Sequence, residues 1–205
     1  MGSATPVLCR TVVQKDTSFA KLVSLGCHDV RTPLATVHGF AKTLERATEL
    51  APPADRYVEM IGKASAEMAE LLDELSLAAR IESGSYEPGL RDADTLALAQ
   101  AARERLGEDR VQVTGEGVTI STDIEAVERG VSALIQAALR HGGLDEVNVV
   151  VRGPVIEVLP VTEASAPVVL GQELRDLGAA VAVRVIARLG GTVSVDGDTL
   201  TISLG

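Results

Sequence analysis

Aromatic residues are almost missing from this chain of 205 residues. They make up 2% of it, with two Phe, two Tyr and no Trp, whereas apolar residues as a group make up 46%. A core of this composition must be built from Ala, Val, Leu and Ile. Such aliphatic cores are typical of helix bundles and thin α/β layers, and they disfavour sandwiches that depend on large rings.

Positive charge is also scarce, because 29 acidic residues outnumber 19 basic ones and leave a formal net charge of −10. Nucleic-acid binding requires a basic footprint, so we expect no DNA or RNA partner. The two cysteines, Cys9 and Cys27, cannot form a disulfide framework, and no Cys/His cluster has the spacing of a metal site. We therefore expect a reducing, cytoplasmic location and no bound metal.

Long apolar runs are absent as well. No stretch of about 18 consecutive apolar residues occurs, which predicts no membrane span in this chain. The N-terminus has no charged region followed by an apolar one, so no secretory signal is predicted. Residues 1–15 show no clear period and are expected to form an N-terminal tail.

A helical pattern extends from about residue 16 to residue 84. Apolar or small residues recur at alternating steps of three and four, first at Val23, Gly26, Val30, Pro33, Val37, Phe40 and Leu44. After the break at Ala51-Pro52-Pro53 the same spacing returns at Tyr57, Ile61, Ala64, Met68, Leu71, Leu75 and Ala78. This spacing predicts two long amphipathic helices, because proline ends the first helix and Gly84 is a natural stop for the second. We call these fourteen residues the seam.

Two amphipathic helices joined by a short turn form a hairpin. A single hairpin leaves part of its seam exposed to water, and pairing with a second copy buries it in a four-helix bundle. The sequence therefore predicts a homodimer. The alternative is that the hairpin packs against the C-terminal half of its own chain.

The pattern changes after a predicted linker at residues 85–92, which contains Pro88 and Gly89. In residues 93–205, helices are expected over 95–106, 124–140 and 172–189, and strands over 110–113, 118–121, 147–151, 155–159, 192–195 and 199–203. This order predicts one mixed sheet covered on one face by helices. The expected fold class is thus α+β: a helical hairpin over residues 16–84, followed by an α/β sandwich.

The first helix carries a group of residues that suits nucleophilic chemistry. Counting along the heptad places His28 on the outward face, where another protein can reach it. A carboxylate such as Asp29, accepting a proton from one imidazole nitrogen, leaves a lone pair on the other nitrogen and raises its nucleophilicity. Thr32 lies one turn further on the same face and could hold a water for the reverse, hydrolytic reaction. Pro33 removes a backbone hydrogen bond and is expected to bend the helix after His28.

The string His28-Asp29-Val30-Arg31-Thr32-Pro33-Leu34 resembles the phosphoacceptor box of two-component sensor histidine kinases, typically His-Glu/Asp-Leu-Arg-Thr-Pro-Leu. The two-helix pattern also resembles the dimerisation and phosphotransfer domain of that family. The resemblance implies that His28 is phosphorylated, that Asp29 assists the transfer, and that Thr32 acts in dephosphorylating a partner. The implied partner is a response-regulator receiver domain, whose aspartate takes the phosphoryl group with the help of its own Mg²⁺.

Three further residues are candidates for docking the receiver. Leu25 precedes the box, Arg31 is part of it, and Ala35 follows it directly. We predict that they contact the partner around His28.

Residues 93–205 resemble the ATP-binding domain of the same family in the order and length of their elements, but nucleotide-binding features are missing. The family has a helix ending in Asn-Leu-x-x-Asn-Ala-x-Arg-His, whose second Asn ligates Mg²⁺. Here the segment runs from Ala133 to His141, and both asparagine positions, 133 and 137, are alanine. A methyl group cannot coordinate a hard cation, which requires oxygen ligands.

The glycine-rich features of the family are changed too. Its Asp-x-Gly-x-Gly pattern is replaced by Pro160-Val161-Thr162-Glu163-Ala164, and the segment that follows is short for a mobile lid. The pattern Gly-Leu-Gly-Leu-Ala-Ile-Val aligns with residues 176–182, where Asp176 replaces the first glycine and Gly178 remains. A negative charge at a helix start opposes phosphate binding. Together these changes predict a degenerate ATPase-like domain that binds no ATP.

These observations predict a histidine phosphotransfer protein of a bacterial phosphorelay, which exchanges a phosphoryl group between His28 and receiver aspartates. The phosphoryl group would come from a phosphorylated receiver or from a separate upstream kinase. Two alternatives remain open. One is a pseudokinase that regulates a kinase or a receiver by interaction alone, and the other is an atypical ATP-dependent histidine kinase.

Overall fold

The computed structural model describes residues 18–47, 50–106 and 110–205, so the predicted tail at residues 1–15 lies outside the described residues. Two 30-residue helices come first, α1 (Ser18–Ala47) and α2 (Ala54–Ser83). Side-chain contacts pair Arg31 with Asp73 and His38 with Ser65, so the two helices run antiparallel. The predicted hairpin is confirmed.

The second helix ends at Gly84, whose φ of 75° lies in the left-handed region that favours glycine. Its amide donates a hydrogen bond to the carbonyl of Ile81 at 3.1 Å. The first strand, β1 (Leu90–Asp94), then begins inside the segment predicted as a linker. Because this strand is mostly exposed, its sequence carries no clear alternation of apolar and polar residues. Across the described ranges, none of the helices combines the length and apolar character that a membrane crossing requires.

The C-terminal half alternates helices and strands. In chain order it contains α3 (Thr95–Leu106), β2 (Val111–Gly117), β3 (Thr119–Asp123), α4 (Ile124–Gly142), β4 (Val147–Gly153), β5 (Val155–Leu159), α5 (Ala166–Val169), α6 (Leu177–Arg188), β6 (Thr192–Asp196) and β7 (Thr199–Ser203). Five strands form a mixed sheet in the order β2-β4-β5-β7-β6, in which only β2 and β4 run parallel. The α+β fold class is confirmed.

The strand pairing differs from the sequence prediction in one respect. A single sheet was expected, but β3 leaves it and pairs antiparallel with β1, with Ala93 opposite Ile120. Hydrophobic periodicity indicates which segments are strands and not which partners they take. The last long helix is also shorter than expected, because Asp176 caps its start and the residues before it form α5 and a loop.

The sheet and its helices enclose an aliphatic core. On β4, Val147, Val149 and Val151 are buried, whereas Asn148 and Arg152, at alternate positions, are exposed, so helices cover one face of the sheet. Each fully buried Leu or Ile contributes about 1.5–3 kcal/mol relative to an exposed one. The largest fully buried side chains include Leu98, Leu134, Ile135, Ile156, Ile186, Leu200 and Ile202.

A smaller cluster joins the hairpin to the C-terminal half. Leu77 near the end of α2 and the buried Tyr86 pack with Ala126 of α4 and with Val181 and Val185 of α6. The alternative in which the hairpin packs on its own C-terminal half therefore holds for the last turns of α2. Most of the seam remains open to solvent.

Candidate functional site

His28 lies on the surface of α1, as the heptad position predicts. Its side chain is 76% exposed, and its Nδ1 atom is 3.2 Å from the Oδ1 atom of Asp29. When the Nδ1 hydrogen is donated to Asp29, the Nε2 atom keeps its lone pair. An exposed imidazole held in this tautomer is a nucleophile that a second protein can approach.

The residues that follow His28 in the box also lie at the surface. Thr32 is exposed one helical turn further on, and its carbonyl accepts a hydrogen bond from the Thr36 hydroxyl at 3.2 Å. Pro33 lies inside α1 and has no amide hydrogen, so the carbonyl of Asp29 lacks its usual helical donor. The catalytic roles of His28, Asp29 and Thr32 stay predictions at this point.

The three predicted docking residues are all at the surface, but they differ in what they contact. Leu25 and Ala35 are exposed. Arg31 donates a hydrogen bond to Asp73 of α2 at 2.6 Å, and this ion pair ties the two helices together one turn from His28. Their part in receiver docking stays a prediction. The Asp73 partner was missed, because nothing in the spacing predicts which residue of α2 faces Arg31.

The interior of the hairpin is formed by a different row of residues from the seam. Cys27, Leu34 and Ala41 are buried against α2, whereas the seam residues Val30, Val37, Phe40 and Leu44 are exposed. His38 also lies on this interior side, where it is partly buried and its Nδ1 is 2.9 Å from the Ser65 hydroxyl. The seam is thus a second apolar face of the hairpin.

Three of the four aromatic rings of the chain lie on the exposed side of the hairpin. Phe40 and Tyr57 belong to the seam, and Phe19 extends it by one step of four before Val23. Only Tyr86 is buried. In a chain with so few rings, three exposed ones on the two helices of the hairpin form part of an apolar surface of the kind that marks interaction sites.

Three positions where the resembling kinases carry nucleotide-binding residues lie within the C-terminal half. Ala137 on α4 is fully buried and Ala133 is partly buried. Asp176 caps α6, and its Oδ1 accepts a hydrogen bond from the Ala179 amide at 3.1 Å. Its Oδ2 lies 3.1 Å from Nε2 of His141 and 3.3 Å from a guanidinium nitrogen of Arg140. The start of α6 is therefore occupied by a carboxylate of the chain itself.

Helix α2 of the hairpin packs beside the start of α6. A Cβ added at Gly178 would lie 3.1 Å from the Ala133 side chain and 3.2 Å from Oε1 of Glu74 on α2. Burial raises the pKa of the Glu74 carboxyl, the Arg129 guanidinium opposes this rise, and the charge of Asp176 adds to it. Glu74 is only partly exposed, because α2 packs near α4 and α6 here.

The carboxylate of Asp123 accepts hydrogen bonds that join the hairpin to the C-terminal half. The Tyr86 hydroxyl donates to Asp123 at 2.8 Å, and the same carboxylate accepts from the amides of Gly89 and Ala126. Burial and the bond to Asp123 raise the pKa of the Tyr86 phenol. Arg80 lies over the Tyr86 ring, 5.8 Å from its centroid. Within the described ranges, no three His, Cys, Asp or Glu side chains converge as a metal site.

One family model matches the hairpin. Residues 21–84 match the model of the His Kinase A (phospho-acceptor) domain. A search of curated protein sequences found no match. The family match covers the hairpin, including His28 and both helices.

Solved structures share the fold over most of this chain, beyond the residues that the family model matches. Full-length ShkA in complex with AMPPNP superposes with a TM-score of 0.65 and 20% identity, over 89% of this chain and 44% of ShkA. The Acinetobacter baumannii histidine kinase AdeS gives a TM-score of 0.53 and 18% identity, over 87% of this chain and 97% of that chain. A bacterial phosphotransferase covers 98% of this chain at 17% identity, but its TM-score of 0.39 is too low to support an inference.

This chain thus spans less than half the length of ShkA. Residues 21–84 thus match the His Kinase A (phospho-acceptor) domain, and the chain shares the fold of ShkA and of the histidine kinase AdeS.

Proposed function

We propose that this protein is a histidine phosphotransfer protein of a two-component phosphorelay. His28 accepts a phosphoryl group from the aspartyl phosphate of one receiver domain, or from a separate kinase, and passes it to another receiver. The observation that carries the proposal is the exposed imidazole of His28 with Asp29 at Nδ1, inside a phospho-acceptor domain. A cytoplasmic location is part of this proposal.

The transfer step follows from that geometry. The Nε2 lone pair of His28 attacks the phosphorus of the aspartyl phosphate, a nitrogen–phosphorus bond forms, and the phosphorus–oxygen bond to the receiver carboxylate breaks. The carboxylate leaves with the bonding electron pair, and the Nδ1 proton stays on the ring beside Asp29. The phosphorylated ring is cationic, so the Asp29 carboxylate stabilises it. The reverse sequence delivers the phosphoryl group to the next receiver.

Phosphoryl transfer requires positioning and charge stabilisation more than covalent chemistry from the protein. The proposal assigns the Mg²⁺ to the receiver. Leu25, Arg31 and Ala35 would position the receiver, and Thr32 would hold a water when a phosphorylated receiver is hydrolysed. The Arg31–Asp73 ion pair supports this assignment, because it holds the two helices in register beside the nucleophile.

The proposal includes a homodimer. The exposed seam supports it, because its Val, Leu, Ile and aromatic residues on both helices form one continuous apolar face. Burying this face against a second copy produces a four-helix bundle and leaves His28 outside it. The isologous pairing of identical faces is the commonest form of oligomer in soluble proteins.

The proposal also holds that the C-terminal domain does not use ATP. Ala133 and Ala137 offer no oxygen to a magnesium ion. Asp176 already satisfies the start of α6 and engages Arg140 and His141, so a nucleotide phosphate there would meet a fixed negative charge. The residues present therefore do not fit a magnesium nucleotide.

One labelling experiment tests the proposal. The protein is incubated with labelled ATP alone and with a labelled phosphorylated receiver, and the wild type is compared with His28→Ala. We expect label only from the receiver and none on His28→Ala, while the control His141→Ala, which keeps the hairpin intact, remains labelled. Label from ATP alone would instead identify an active kinase. No label from either donor would identify an interaction module without turnover.

A further inference from the structure

An apolar groove of about 610 Å³ lies at the end of the hairpin where α1 begins and α2 ends. Its walls come from both halves of the chain. The hairpin contributes Phe19, Val23, Leu75 and Ala78, and the C-terminal domain contributes Leu174 and Leu177. Leu174 belongs to the α5–α6 loop, residues 170–176, which precedes α6.

The groove brings together the two most exposed large apolar side chains of the described residues. Phe19 is 73% exposed and Leu174 is 72% exposed. They come from opposite halves of the chain, and both line the same groove. Leaving a Leu or Phe in water forgoes most of its hydrophobic stabilisation, so a shared apolar groove of this kind indicates a surface that is covered in the working protein.

The charged residues at the rim are paired within the chain. Arg184 donates to Glu82 at 3.3 Å, which links α6 to α2 across one edge. Arg175 lies 2.8 Å from Glu173 at another edge. Because these charges already have partners, the groove presents an apolar floor to its occupant and favours an apolar segment over a charged one.

The groove is continuous with the seam. Val23, Leu75 and Ala78 are seam positions, and Phe19 stands four residues before Val23 on the same helical face. A second copy that covers the seam therefore reaches the groove. In a dimer whose two-fold axis runs along the bundle, both α1 helices start at this end, so the first turns of the partner helix lie beside it.

We propose that the groove receives Phe19 and the first turns of α1 from a second copy of this chain, an inference that rests on the proposed homodimer. The α5–α6 loop is then a second dimer contact in addition to the seam. This gives the degenerate domain a role that requires no nucleotide: Leu174 and Leu177 clamp the start of the partner's phospho-acceptor helix.

The first test measures dimer affinity in full-length protein. We expect Leu174→Asp to raise the dissociation constant at least tenfold by sedimentation equilibrium, because a symmetric interface contains the residue twice. Leu90→Asp is the matched control, since Leu90 is also an exposed leucine of the C-terminal half but lies on β1 outside the groove. We expect its dissociation constant to stay within twofold of the wild type. An unchanged dissociation constant for Leu174→Asp, or a monomeric wild type, would overturn the inference.

The second test asks which copy contacts Leu174. Phe19→Cys and Leu174→Cys are made in separate chains, each lacking the native thiols through Cys9→Ser and Cys27→Ala, and the two chains are mixed under oxidation. A disulfide between the differently tagged chains supports contact across the dimer, and its absence overturns it. If removing residues 1–17 abolishes the effect of Leu174→Asp, the chain's own N-terminal segment occupies the groove and the inference is wrong.

These outcomes are separable from those of the labelling experiment. A chain that is phosphorylated on His28 but insensitive to Leu174→Asp contradicts only the groove contact. A chain that takes no label but dissociates on Leu174→Asp contradicts only the phosphotransfer function.

Discussion

The hairpin and the C-terminal domain are built from the same aliphatic residues, but they bury them to opposite extents. In the domain, Leu134, Ile135 and Ile156 are completely enclosed by one chain. In the hairpin, Val37 and Phe40 are about half or more exposed, and the buried row beside them contains small residues. The domain therefore encloses its core within one chain, whereas the hairpin leaves an apolar face open to solvent.

The two regions also differ in where their chemistry lies. Within the described residues, the exposed imidazole of His28, with Asp29 beside its Nδ1, lies on the hairpin. The polar residues of the domain around Asp176 are engaged with one another. In the proposed function, the phosphotransfer chemistry therefore belongs to the hairpin, whose apolar face is open, and the C-terminal domain supports it.

The largest effect is expected in the core of the domain. Ile135→Ala should lower the free energy of unfolding by about 2–5 kcal/mol, because it removes a fully buried side chain and leaves a cavity. Chemical denaturation measures the loss, and the loss should not depend on protein concentration. A loss that shrinks as the concentration rises would contradict the self-contained core, since it would make the domain core part of the subunit interface.

A slightly smaller effect is expected at the middle of the seam. Phe40→Asp should raise the dimer dissociation constant by about 100-fold or more, because a charge would be buried in each copy of the interface. Sedimentation equilibrium measures this change, and circular dichroism should show unchanged helix content. Leu90→Asp again serves as the control. If Phe40→Asp dimerises like the wild type, the seam is not the subunit interface.

A moderate effect is expected where the two regions meet. Tyr86→Phe should lower the free energy of unfolding by about 1–2 kcal/mol, because Asp123 loses its hydroxyl donor while the ring stays packed. Urea denaturation, monitored separately in the hairpin and in the domain, measures this loss. Identical unfolding of the variant and the wild type would show that this hydrogen bond does not couple the regions.

The smallest effect is expected at Glu74. The pKa of Glu74 is raised in the folded protein, so the ionised carboxyl opposes folding. The contribution of Glu74 to the free energy of unfolding is therefore favourable below the ordinary pKa of 4.5, and it is lost as the pH rises through the higher pKa of the folded state. Glu74→Gln should therefore be more stable than the wild type at pH 7, by less than about 1 kcal/mol. The two proteins should converge in stability below pH 4.5. A difference that is independent of pH would contradict this account.

The sequence predicted the features that depend on local patterns. Heptad spacing predicted the hairpin and the outward position of His28, and the break at Pro52-Pro53 and the stop at Gly84 fit the observed ends of the helices. The pattern of apolar and polar residues predicted most strands of the domain. These features are set by residues a few positions apart, which a single sequence displays directly.

The features it did not predict depend on distant residues. The pairing of β3 with β1, the burial of His38 against Ser65 and the Arg31–Asp73 ion pair each join segments that no local spacing relates. The substitution at Asp176 was visible in the sequence. Its engagement with Arg140 and His141 was not, because those residues precede it by more than thirty positions.

The central claim is that the phosphoryl group is carried on Nε2 of His28. Peptide mapping by mass spectrometry, together with ³¹P NMR of the intact protein after incubation with a phosphorylated receiver, tests it most directly, because the chain has only three histidines. The account predicts one phosphohistidine, at His28 and bonded through Nε2. A phosphoryl group on His38, on His141 or on Nδ1 of His28 would contradict it.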